Sequence, residues 1–117
     1  MPTLKVVLTG FWFDKIEAGL KKHEYRIFSK YWIKRITFND PVEVISSYVN
    51  SSVKIEDIIA SLCFKPYDFI EFQRAYPKNP KRMTFWIEKL SALNSGIDSD
   101  LRCIEPVFDI EMGDRLK

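Results

Sequence analysis

The chain has 117 residues, 46% hydrophobic and 29% charged, enough for one domain around one core and too few for multidomain machinery. Eighteen Lys and Arg against sixteen Asp and Glu leave a formal charge of +2, a sum too small to imply a nucleic-acid partner by itself. Cys63 and Cys103, with His23 as the only histidine, cannot assemble a Cys/His metal cluster, and no stretch approaches the ~20 apolar residues of a membrane span.

Leu4–Thr9 is β-branched and apolar and predicts a strand closed by Gly10. Phe11–Ala18 then places Trp12, Phe13 and Ile16 at helical spacing, with Thr9 near its start and Gly19 where a left-handed cap is wanted. From His23 to Phe28 the period changes to two, a strand with Glu24 and Arg26 on one side and His23 expected on the inward side. Ser29 can cap a short helix to Arg35 or Ile36 that clusters Tyr31, Trp32 and Ile36. Val42–Val49 reads as a strand, and Ile55–Leu62 as a helix with Glu56 and Asp57 in its first turn. Tyr67–Phe72 and Met83–Leu90 alternate on either side of the turn-forming 76–81 segment, a hairpin. Leu93–Asp100 reads as loop and Cys103–Met112 as the last strand. The sequence begins with a short apolar run without a basic leader or small-residue cleavage site. These features predict a cytoplasmic protein with two reduced, core-packed thiols, no membrane association, no metal and no cofactor.

The small total charge conceals segregation. Lys15–Arg35 holds seven bases against two acids, and Arg74–Arg82 holds four bases and no acid. The remainder is acidic, with six acids against two bases in Ile36–Gln73 and seven against four in Glu88–Lys117. A near-neutral sum therefore does not argue against an anionic ligand.

Within the first basic stretch stands Gly19-x-Lys21-x-x-Glu24-x-Arg26. Gly19 lets the chain turn after the helix, and Glu24 and Arg26 project two apart from one face of the strand that follows. A cation, a carboxylate and a bidentate donor so placed could hold a phosphate, read a base edge or polarise a carbonyl. Trp32 beside Lys34 and Arg35 is an aromatic among bases, the combination that stacks on a nucleobase. Arg74, Tyr76 and Lys78 form a second basic edge if the hairpin lies beside Lys21. The alternative is a solvated ion pair, a packed aromatic core and a solvated turn.

The signature resembles that of the ASCH domain, a small β-barrel of the PUA-like group, whose pattern G-x-K-x-x-E-x-R is matched by Gly19, Lys21, Glu24 and Arg26. The flanks are similar too: Trp12, Phe13 and Asp14 before it, Tyr31, Trp32, Lys34 and Arg35 after it, and an aromatic-rich hairpin at 72–83. The resemblance covers Leu4–Arg35 and Tyr67–Leu116, leaving 39–66 as an insertion or divergent connection within a single domain. It implies an α+β fold: a mixed barrel of five to seven strands with two or three short helices over one side, and a cleft lined by the signature. It also implies RNA or nucleotide binding, through Lys21, Arg26, Trp32, Lys34, Arg35, Arg74, Tyr76 and Lys78. One branch of the family hydrolyses an acetylated cytidine with a Lys, Thr and Glu triad, and other members are reported to cut single-stranded RNA. Lys21 matches that branch's lysine, whereas Glu24 stands where it has threonine, so the hydroxyl is missing from its place. Three functions follow in order: a binding module for RNA or a nucleotide or nucleoside; a metal-independent hydrolase using Lys21 and Glu24; and a protein-interaction domain.

Overall fold

A computed structural model describes residues 2–51 and 53–117. Among them the chain is α+β. Its strands are β1 (Thr3–Leu8), β2 (His23–Ile27), β3 (Phe69–Arg74), β4 (Arg82–Leu93) and β5 (Val107–Arg115). Its helices are α1 (Gly10–Glu17), α2 (Lys30–Ile36), α3 (Pro41–Val49) and α4 (Ile55–Ala60). The strands form one sheet in the order β1-β3-β4-β5-β2. Five strands lie at the low end of the expected range, and four helices exceed the expected two or three. No helix among the described residues is long and apolar enough to cross a membrane.

The chain divides into two compact units, one comprising the chain up to Glu24 with Pro66–Lys89 and Ile110–Lys117, the other Tyr25–Lys65 with Leu90–Asp109. In the first unit β1 runs parallel to β3 from Thr3 opposite Phe69 to Leu8 opposite Arg74, and β3 runs antiparallel to β4. Period-two alternation buries Leu4, Val6 and Leu8 on β1, while Phe69, Ile70 and Phe72 are buried on β3 and Met83 on β4. α1 packs on β1 and β3 through Phe13 and Ile16. Each such side chain fully buried contributes about 1.5–3 kcal/mol.

The second unit is organised by caps. Ser29 Oγ accepts the backbone N–H of Trp32 at 3.3 Å and starts α2, as the sequence predicts. Val42–Val49 is helix α3 rather than a strand. Asp40 Oδ1 accepts the Val42 and Glu43 amides at 3.0 and 3.4 Å, and Pro41 occupies the first turn, so capping overrides the β-branched run. The excursion closes on itself: Thr37 bridges Phe64, and the Asn39 side chain accepts from Cys63 N at 2.7 Å and donates to Ser61 O at 3.2 Å. That closure ties the two ends of the 39–66 connection together. The core here gathers Ile33, Ile36, Val44 and Ile58, with Phe108 5.3 Å from Phe28 and 6.3 Å from Phe64.

Several expectations are corrected. β4 continues to Leu93, into the predicted loop, and β5 begins at Val107 because Gly96–Cys103 closes its own bridged turn. β3 starts at Phe69, two residues later than predicted. Both thiols are free, but Cys63 is exposed and Cys103 half-buried rather than packed in the core. Cys63 sits in the connector whose backbone Asn39 clamps, which leaves its side chain outside the apolar cluster.

Candidate functional site

The signature begins where α1 ends. Gly19 has φ +76°, its amide donates to Ile16 O and that of Leu20 donates to Lys15 O, both at 3.0 Å. This pair of bonds is a Schellman cap, and it needs the left-handed glycine that the sequence supplies. The reversed chain delivers Lys21 beneath its own helix. Lys21 Nζ donates to Glu24 Oε1 at 2.8 Å and lies 4.4 Å from the ring centroid of Trp12 on α1. The Lys21 and Glu24 side chains are only 13% and 4% exposed. A carboxylate so buried requires a partner, and the ammonium provides it, with the indole face adding a cation–π contact. Glu24 is thus the inward residue at the start of β2. His23, expected inward, lies on the opposite face, half-exposed, its Nε2 3.8 Å from Glu111 Oε2.

Lys21 borders an open groove of about 470 Å³ in the same unit. Ile16, Phe85 and Met112 give it an apolar lining, and Lys22 is its second cation. Glu88, Glu111 and Asp114 add three carboxylates, none of which the sequence reading singled out. Gly113 makes room for one of them: a Cβ there would lie 3.2 Å from Glu88 Oε2. The only advance signal for these acids was the negative charge of the Glu88–Lys117 stretch.

In the second unit Arg26 and Arg35 converge on one indole. Each guanidinium carbon lies 4.9 Å from the Trp32 ring centroid, and Arg35 is also 5.5 Å from that of Tyr31, whose hydroxyl accepts from Arg35 Nη1 at 3.3 Å. Helical spacing accounts for the contacts within α2, since positions three and four apart are neighbours. Tyr31 meets Trp32 edge-on at 5.0 Å, and Lys34 is exposed. Trp32 is half-buried, with its π-system already engaged by guanidinium groups. Nearby in this unit, burial pushes the Tyr25 phenol above its ordinary range, and Asp109 and Asp100 add to the shift.

The second basic stretch is spent on carboxylates. Arg74 grips Asp14 with two parallel hydrogen bonds, Nε–Oδ1 at 3.1 Å and Nη2–Oδ2 at 3.2 Å. Gly10 permits this grip, because a Cβ there would stand 2.5 Å from Arg74 Nη2. The Arg74 hydrogen bond holds the Asp14 carboxyl below its usual range, and Asp14 raises Arg74 in return. Lys81 meets Glu17 at 3.4 Å and Arg82 meets Glu71 at 3.8 Å. Tyr76 is 83% exposed and Lys78 is exposed in the turn. The structure therefore brings together Lys21, Glu24 and Trp12 in one unit, and Arg26, Trp32 and Arg35 in the other. Arg74 is drawn onto α1. No protein-family model, curated protein or solved structure matches the chain.

Proposed function

We propose that the chain is an ASCH-like, PUA-like domain that binds a nucleobase-bearing ligand, RNA or a nucleotide or nucleoside, in the groove beside Lys21, and that it acts in the cytoplasm. The observation that carries this reading is the Lys21–Glu24 pair, closed to 2.8 Å against the face of Trp12 at the border of an open, partly apolar groove. Such a groove offers flat apolar walls to a ring, and charged groups that both donate and accept hydrogen bonds at a base edge. Arg26, Trp32, Lys34 and Arg35 supply a second, cationic and aromatic surface for a nucleic-acid strand. Equilibrium binding of nucleosides, nucleotides and short single-stranded RNA tests the proposal. Wild-type protein binds at least one class, and K21A and W12A, shown folded by circular dichroism, weaken it at least tenfold. Unchanged affinity in both variants rejects the groove as the site.

A hydrolytic reading has one observation of its own. Glu24 is an almost fully buried carboxylate in direct contact with a lysine ammonium, a carboxylate–amine dyad that could orient water and stabilise a developing oxyanion. Product formation from a modified nucleoside or RNA, abolished in E24Q while binding persists, favours this second reading over binding alone.

A further inference from the structure

We infer that Glu88, Glu111 and Asp114 make the Lys21 groove a charge filter, which admits the uncharged base portion of a ligand and turns its phosphate away. The inference rests on the nucleobase-binding reading above and specifies which end of such a ligand enters. Lys21 is the one cation held in place at the groove, and its ammonium is already matched by Glu24 at 2.8 Å. The other cation is Lys22, an exposed side chain, against three carboxylates spread over β4 and β5. With Glu24 counted, four carboxylates face two ammonium groups. The excess of carboxylates gives the groove a negative field, and a phosphate monoester brings about −1.5 to −2 charges at neutral pH. A neutral heterocycle meets no such repulsion. It finds Ile16, Phe85 and Met112 for its faces, and carboxylate oxygens that accept from its N–H groups. His23 Nε2 lies 3.8 Å from Glu111 Oε2 at the edge of this acidic cluster.

The test compares adenosine, cytidine, guanosine and uridine with their 5′-monophosphates by calorimetry at about pH 8, where the phosphate monoester carries close to two charges. At low salt the nucleoside that binds best does so on the order of tenfold more tightly than its monophosphate, and the gap narrows as salt is raised. The variant E88Q/E111Q/D114N narrows the same gap at low salt. Should that variant fail to fold, the salt series on the wild-type protein and competition by inorganic phosphate decide alone. The filter is overturned if a monophosphate binds as tightly as its nucleoside, or if inorganic phosphate displaces a bound nucleoside. That result leaves base binding standing. Absence of binding by every nucleoside and monophosphate also overturns the filter, and absence of binding by short single-stranded RNA as well overturns the functional reading.

Discussion

The two basic stretches of the chain meet different fates. Lys15–Arg35 rests largely on aromatic rings: Lys15 lies 5.4 Å from the Phe11 ring, Lys21 4.4 Å from Trp12, and Arg26 and Arg35 each 4.9 Å from Trp32. Arg74–Arg82 rests on carboxylates, with Arg74 on Asp14, Lys81 on Glu17 and Arg82 on Glu71. An aromatic face holds a cation in place without cancelling its charge, whereas a carboxylate neutralises it. A tally of charge along the chain treats the two stretches alike, whereas the structure sets the first largely against rings and most of the second against carboxylates. Lys21 belongs to both classes, since it has a ring on one side and a buried carboxylate on the other. The comparison can be broken at each kind of contact.

The largest effect is expected at Lys21. Replacing it in K21M takes a close ion-pair partner from the buried Glu24 carboxylate and destabilises the protein by about 3 kcal/mol, read as a lower urea midpoint. The paired variant K21M/E24Q recovers most of that loss, because a neutral amide tolerates burial better than an unmatched charge. A K21M protein as stable as wild type would make the pair a surface contact. A smaller effect is expected at Trp32. W32L removes the ring shared by Arg26 and Arg35 and costs about 1–2 kcal/mol, while W32F, a weaker ring of similar shape, retains part of it. Thermal melts that rank wild type above W32F above W32L support the cation–π account. Equal losses in the two variants would assign the effect to packing alone.

Local chemistry made much of this legible. Gly19 as a left-handed cap, Ser29 as an N-cap and the hairpin read from Tyr67–Phe72 and Met83–Leu90 are signals carried by adjacent residues, and each predicts a structure that is present. α3 was hidden because Val42, Val44, Ile45 and Val49 imitate a strand, while Asp40 and Pro41, which decide the matter, look equally like a turn. The alternation from His23 to Phe28 identifies two faces of β2 but assigns His23 to the inward one, where Glu24 lies. Burial of Glu24 depends on Lys21 and Trp12 folding over it, and no period in the strand records that. At the site, Lys21 and Glu24 were readable as members of one signature, but nothing in the spacing singled out their direct contact. The groove's carboxylates were not, since Glu88 and Glu111 converge only through the pairing of β4 with β5. The Arg74–Asp14 pair was hidden for the same reason: its members lie sixty positions apart in the sequence.

The smallest effect sharpens the comparison most, because it isolates neutralisation from packing. Asp14 and Arg74 are solvent-exposed, so their bond is screened by water and salt and adds little to global stability. Its signature is the titration of Asp14. The Arg74 hydrogen bond stabilises the carboxylate, so Asp14 titrates below its ordinary value of 3.8 in the folded protein. The stabilisation is therefore complete above that ordinary value and is lost as pH falls through the lower folded one. Carboxyl-carbon NMR should place the Asp14 midpoint below that of an unpaired aspartate, and R74Q should return it to the ordinary range with little change in melting temperature. An R74Q protein that lost as much stability as K21M would show that exposed carboxylate pairs in the second stretch do structural work equal to the buried one. The contrast between the two stretches would then fail.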